Sequence, residues 1–347
     1  MPAPKPIQII GGGLAGLTLG IALRRQEIPV TILEAGRYPR HRVCGEFISG
    51  RGQITLARLG LRQLLDEAGA VSARTVAFHS ATKSSSVQRL PSAATCVSRF
   101  ALDAALAKLF RDLGGELCEG QRAPTEKIGE GCVRATGRRA KAGDNGGRWF
   151  GLKIHARNVA LTADLEMHFS PRGYVGLCKI NGDEVNVCGL FRKGTGEDSE
   201  ARNGRELLRG QTGSPLQERL ARAEFDENSL CAVAGLSLRP QRAVARPEIC
   251  IGDAVTMIPP VTGNGMSMAF ESAELAIAPL AAWSRGQTSW DAARQKIALD
   301  CDALFTRRLR WAKWLQSLVL TPVLQNPLLA IASRSDWFCR TAFKQTR

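Results

Sequence analysis

The 347-residue sequence predicts an α/β fold with an α+β insertion, closed by a helical carboxy-terminal tail. Three observations predict it. Residues 7–34 read as an apolar run, a glycine turn, an apolar helix and a second apolar run. Four short runs with partial period-two alternation lie between Trp149 and Phe191. A further buried-type strand, Ile249–Gly252, leads through a Pro/Gly loop into another apolar helix. Strand, helix, strand is the βαβ unit of a parallel sheet, whereas alternation marks antiparallel strands.

In chain order, Ile7–Ile10 is the first strand, Leu17–Leu23 a helix, and Pro29–Leu33 a strand ending on Glu34. Ile54–Ala68 follows as one helix, with Ile54, Leu56, Leu59, Leu61, Leu64 and Leu65 apolar. Strand-like pieces surround Val76–His79 and Val87–Leu90. Ser98–Leu113 repeats apolar residues at helical spacing and stops at Gly114-Gly115. Gly115–Gly147 is rich in Gly, Arg and Lys. The sheet region then predicts about four strands, with Asn181-Gly182 as a hairpin turn, and two polar helices in Glu200–Phe225. Met266–Leu280 is a helix, and Asp291–Arg347 is helical with breaks at Pro322 and Pro327. This assigns residues 1–75, 97–140 and 241–290 to one lobe, 76–96 and 141–240 to a second, and 291–347 to the tail.

Hydrophobic residues make up 44% and charged residues 23%, which excludes global disorder. The 47 Lys and Arg against 32 Asp and Glu leave +15, spread along the chain as a solvated basic surface suited to anionic partners. Aromatics at 6% and no recognition motif exclude nucleic acid as a partner. Ten cysteines without a CxxC pair read as reduced thiols in a cytoplasmic protein. The start MPAPKPIQIIGGG is no signal peptide, and no apolar run reaches the ~18–20 residues of a membrane span. The expected location is cytoplasmic, membrane-peripheral at most.

The first motif is Gly11-Gly12-Gly13-Leu14-Ala15-Gly16, with Gly20 a turn later and Glu34-Ala35 closing the next strand. Gly11 permits the tight turn, Gly13 admits a diphosphate, and Gly16 and Gly20 let the helix approach the sheet. The helix start offers N–H groups and positive dipole, and Glu34 is placed for ribose hydroxyls. The second motif is ICIGDAVTMIPPVTGNGMSMAFESAELA, residues 249–276. It holds Gly252, Asp253, Pro260 and the helix opening Gly263-Asn264-Gly265-Met266.

With these two motifs the sequence resembles the flavoprotein monooxygenase superfamily of p-hydroxybenzoate hydroxylase fold, including its geranylgeranyl-reductase-like and halogenase-like members. The resemblance implies a Rossmann-type FAD-binding lobe with an inserted antiparallel substrate-binding sheet. It implies that Asp253 meets a ribitol hydroxyl and that Gly263–Met266 lie against the flavin ring. Arg99 matches an arginine near the FAD diphosphate, and Gly137, within Ala135–Ala140, a glycine beside the cofactor. Arg42-Val43-Cys44-Gly45-Glu46 resembles the loop along the adenosine and the flavin edge. That makes Cys44, Gly45 and Glu46 flavin- or substrate-facing candidates, although Cys44 reads equally as an apolar filler.

Two departures stand out. The segment Cys118–Ala135 is short and polar, and the reductase branch's Y-x-W-x-F-P signature is replaced by Gly173-Tyr174-Val175-Gly176-Leu177, which weighs against alkene reduction. The four histidines show no metal spacing, so no metal is expected, and no catalytic residue is assigned. No second glycine motif exists for a resident nicotinamide, so NAD(P)H enters as a transient electron donor. The tail 301–347 carries eight Lys/Arg against two Asp, with Trp311, Trp314 and Trp337. It reads first as a cap on the second lobe and second as an interfacial helix on an anionic membrane. The resulting expectation is an FAD-dependent monooxygenase hydroxylating a hydrophobic aromatic or polyketide-like molecule through a flavin hydroperoxide. The alternatives are a flavin reductase or dehydrogenase of an isoprenoid or lipid-like substrate, and a non-catalytic flavin-binding, membrane-associating protein.

Overall fold

The computed structural model describes residues 3–122, 128–138, 149–192 and 204–334, with 341, 343 and 345. Arg139 and Ala140 of the Ala135–Ala140 segment, and Trp337, Phe338 and most later tail residues, lie outside them. Strands β1 (Ile7–Ile10), β2 (Val30–Glu34), β6 (Glu116–Glu119), β7 (Cys132–Arg134) and β13 (Ile249–Cys250) form one sheet. Its order is β13-β7-β1-β2-β6, and every neighbour is parallel. Ile7, Ile9 and Ile32 are fully buried because helices cover both faces of such a sheet. Those helices include α1 (Leu14–Arg24), α4 (Arg99–Asp112) and α7 (Gly265–Ser284). Gly20 permits a close approach of α1 to the sheet and to α4: a Cβ there would lie 2.8 Å from Ile32 and 2.9 Å from Phe110.

The second sheet has eight strands among the described residues, not about four. These are β3 (Phe47–Ile48), β4 (Val71–His79), β5 (Gln88–Cys96), β8 (Trp149–Arg157), β9 (Leu165–Ser170), β10 (Gly173–Asn181), β11 (Glu184–Arg192) and β12 (Glu224–Leu236). The order is β12-β8-β11-β10-β9-β4-β5-β3, antiparallel except for β4 beside β9. The expected core strands and the Gly182 hairpin are present. The strand-like pieces expected around Val76–His79 and Val87–Leu90 lie in β4 and β5. Strands β3 and β12 were not expected, and β12 (EFDENSLCAVAGL) buries only two of its residues, so it shows no apolar face. One face packs Ile154, Val175, Leu177 and Val187 under α5 (Gly204–Arg209) and α6 (Pro215–Leu220).

Two helical expectations change. Residues 54–68 form α2 (Arg51–Arg58) and α3 (Arg62–Glu67), split at Gly60, whose φ of +61° ends a right-handed helix. In the tail, α8 (Trp290–Val319) and α9 (Pro322–Arg334) meet before Pro322, but Pro327 lies inside α9. Proline at a helix start costs nothing, whereas Pro327 forfeits one bond that the packing of buried Leu329 offsets. Buried Arg308 on α8 donates twice to Glu271 on α7, at 2.9 and 2.8 Å, fastening the tail to the first lobe. No described helix is long and apolar enough to cross a membrane.

Candidate functional site

Strand β1 ends at Gly11, whose φ of +107° and contact with the Ala135 carbonyl leave no room for a side chain. A Cβ on Gly16 would overlap the Gly11 carbonyl oxygen, so turn and helix lock together only through glycine. Gly13 differs. It is the residue before α1, and a Cβ there would meet nothing within 4 Å. Gly45, Gly137 and Gly265 face the same kind of open space. No acid occupies the first turn of α1 or α7, so their free N–H groups keep their positive field.

The two helix starts converge. A Cβ on Gly252 would lie 3.1 Å from Ala15 on α1 and 4.0 Å from Ala269 on α7. The chain then turns through Pro260–Thr262 to Gly263, with φ +64° and Phe47 2.7 Å from where a Cβ would stand. Asn264 is buried and its carbonyl accepts from Met268 N at 3.0 Å. Met266 packs into the first lobe's core.

At the other end, Glu34 is buried and accepts from the backbone N–H of Gly12 at 2.7 Å and of Gly36 at 2.8 Å, and from Arg40. Ala35 beside it is exposed, and Tyr38 donates to the Gly12 carbonyl. Arg99 does not point freely into the groove. Its guanidinium closes on fully buried Asp103 at 2.6 and 2.8 Å, and Asp103 also accepts from Arg42 Nε at 3.1 Å. Arg42 Nη2 is buried with no hydrogen-bond partner, 3.5 Å from Glu34. Three guanidinium groups, Arg40, Arg42 and Arg99, share the two carboxylates Glu34 and Asp103, leaving a surplus positive charge there. Arg138 donates to the Val43 carbonyl at 3.2 Å and sits 3.8 Å from Asp253, whose carboxyl burial pushes upward.

The loop after Arg42 is pinned to the second sheet. The Cys44 carbonyl accepts from Asn186 at 3.0 Å, and the Gly45 carbonyl from the Cys178 thiol at 3.2 Å. Glu46, with φ +54°, turns its side chain away from the groove. Its carboxylate is fully buried, accepting from Arg99 N at 2.8 Å and facing His155 at 2.8 Å and Lys153 at 3.6 Å. Lys153 reaches His41 at 3.0 Å, and burial with Lys153 beside it lowers that imidazole to about 4. Cys44 and Gly45, but not Glu46, therefore line the adjoining cavity. That cavity holds about 290 Å³, with Phe47, Phe78, Phe169, Tyr174 and Leu190 in its wall. Leu315, Val319, Leu328 and Leu329 of the tail close it, so α8 and α9 do cap the second lobe.

Sequence reasoning passed over Arg40, Asp103 and Arg138. Asp103 lies four residues after Arg99 on one helix, a spacing that signals an ion pair. Arg138 directly follows Gly137. A separate cluster, His79, Glu166 and His168, forms on the opposite sheet face, with ligand atoms within 4.8 Å of one another. It is invisible as a spacing because His79 and His168 are cross-strand neighbours. The imidazoles stack at 4.4 Å and 12°, so their lone pairs do not converge on one ion, and Arg219 already holds Glu166 at 3.1 Å.

A profile described as an NAD(P)-binding Rossmann-like domain matches residues 9–49. No curated protein matches. Solved structures match over nearly the whole chain. The flavin-dependent brominase Bmp2 aligns at TM-score 0.70 and 17% identity, covering 99% of this chain and 98% of its own. PqsL of Pseudomonas aeruginosa, described as a probable FAD-dependent monooxygenase, gives 0.71 and 16%, with 95% and 100% covered. The myxobacterial chondrochloren halogenase CndH gives 0.72 and 19%, with 97% and 92% covered. The eight-stranded second sheet beside a parallel sheet, and these whole-chain matches, show that the chain has the fold shared by these flavin-dependent enzymes.

Proposed function

We propose that the chain is an FAD-dependent oxidoreductase that hydroxylates an apolar, aromatic or polyketide-like small molecule, with NAD(P)H as transient electron donor. One observation carries this reading: the starts of α1 and α7 meet at Gly252, and the loop that enters α7, Pro260–Gly263, lines an apolar cavity. The residues fit a flavin dinucleotide. Open space at Gly13 suits a diphosphate, and the unsatisfied Arg42 Nη2 supplies a donor of the right sign. Glu34 and Arg40 would hold the ribose end, Asp253 the ribityl chain, and Gly263–Gly265 the ring. Arg99 and Asp103 would act by orienting Arg42 rather than by contact.

When bound, flavin accepts hydride from a nicotinamide and reacts with dioxygen. The chain's own task is to position and dry the substrate. Aromatic and aliphatic walls exclude water, and the Cys44–Gly45 backbone is held by Asn186 and Cys178 at the cavity edge. The structural neighbours described as a brominase, a halogenase and a probable monooxygenase support the reading at the level of flavin chemistry. A lipid-like alkene reductase is the second reading, favoured by Cys44 and Gly45 lining an apolar cavity.

Purified protein is expected to show flavin bands near ~370 and ~450 nm, bleached by NAD(P)H without oxygen. Oxygen uptake matched to product supports hydroxylation, whereas turnover that persists anaerobically sinks it. Gly13→Val is expected to abolish flavin retention while shifting apo-protein stability by no more than about 0.5 kcal/mol. Normal flavin occupancy in that variant would place the cofactor elsewhere.

A further inference from the structure

We propose that the outer side of α8 and α9 seats on an anionic lipid surface. The proposal goes beyond the flavin reading and stands on the surface itself. These two helices have two different sides. Inward, Leu315, Val319, Leu328 and Leu329 wall the apolar cavity, and Arg308 is spent on Glu271. Outward, Trp314 is 50%, Val323 79% and Leu324 36% exposed. These are three of the eight large hydrophobic side chains that the described residues expose.

The charge around them is one-sided. Arg307, Arg310 and Lys313 are exposed on α8. Arg307, Arg310 and Trp314 fall within about 60° of one another around α8, and Lys313 lies about 60° beyond Arg310. Residues 303–335 contain no Asp or Glu at all. Cations beside an exposed tryptophan on α8, with two exposed aliphatics at the start of α9, match the headgroup boundary of an anionic bilayer: the charges meet lipid phosphate and the apolar side chains enter the acyl edge. A protein partner of opposite charge would leave Val323 without a reason to be the most exposed large apolar side chain. No described helix can span the bilayer, so the contact is peripheral. Its consequence is a short path: an apolar molecule held in the bilayer would meet the cavity wall across the thickness of one helix layer.

The test uses the full chain with vesicles of neutral phosphatidylcholine and with the same lipid carrying about 30% phosphatidylglycerol, at about 0.1 M salt. Co-sedimentation is expected with the anionic vesicles, at least tenfold weaker with the neutral ones. Replacing Arg307, Arg310 and Lys313 together by Gln should weaken binding roughly a hundredfold, about fivefold per charge. Val323→Glu with Leu324→Glu should abolish the lipid-dependent blue shift in tryptophan emission. Because a variant can lose its fold, brominated-lipid quenching of the unaltered protein, compared with Trp314→Phe, reads insertion directly. The proposal is overturned if the unaltered protein ignores both vesicles. Equal quenching in Trp314→Phe also overturns it, as does self-association in solution that the Gln and Glu variants remove.

Discussion

Strands β1 and β2 bury Ile7, Ile9 and Ile32, while β8, β9 and β11 bury Lys153, His155, Glu166, His168 and Asn186. Both regions are equally dry, yet they are held by different forces. The parallel sheet lies between helices and is held mainly by apolar surface and by glycines where backbone meets backbone. Among the described residues it carries buried charge only at its strand ends, Glu34 and Arg134. The antiparallel sheet holds a loop, Val43–Glu46, that has no core of its own. Lys153, His155 and Asn186 anchor it, so desolvated polar groups stand where packing would otherwise serve. The lesson is that buried charge on β8 and β11 marks where a loop is positioned.

Perturbations should therefore differ in kind between the lobes. Gly16→Val has the largest expected effect. Its side chain would overlap the Gly11 carbonyl and separate α1 from β1, costing more than about 4 kcal/mol or abolishing soluble protein. A melt within a few degrees of the parent would show that the helix can move away cheaply. Lys153→Met comes next, at about 3 kcal/mol in urea titrations, because Glu46 loses a buried partner. An unchanged midpoint would mean that His155 alone satisfies that carboxylate.

Acid should act on the second sheet. Burial would raise the Glu166 carboxyl, but hydrogen bonds from His168 and Thr162 outweigh it and hold the group at about 2. Its folded value lies below its ordinary 4.5, so its contribution is full above that pH and is lost as pH falls toward 2. His79, lowered to about 4 by burial and by His168, adds an earlier loss, beginning below the ordinary 6.5 as the unfolded chain takes the proton first. The denaturation midpoint is expected to fall in two stages on acidification, and Glu166→Gln should flatten the lower one. The smallest effects are the caps. Ser98→Ala on α4 and Ser214→Ala on α6 should each cost about 1 kcal/mol, alike in both lobes, since each hydroxyl accepts one helix N–H. Unequal losses would show that the cap on one lobe is coupled to its loop.

The glycine spacing at 11–16, the acid at Glu34 and the strand-turn-helix at 249–266 made the parallel sheet and its groove legible from the text alone. Backbone close approach admits only one residue type, and a fully covered strand reads as an unbroken apolar run, so both leave local marks. The rest was decided in three dimensions. That Arg99 spends its guanidinium on Asp103, while Arg42 shares that carboxylate and keeps Nη2 without a hydrogen bond, depends on side chains brought together by packing. That Glu46 leaves the cavity for Lys153 and His155 depends on strands about a hundred residues away. Strand β12 carries no pattern because exposed positions are free of apolar selection, and only pairing makes it a strand. Local geometry is written in residue type, whereas the partner a polar group finds is settled by packing, which no single stretch of sequence contains.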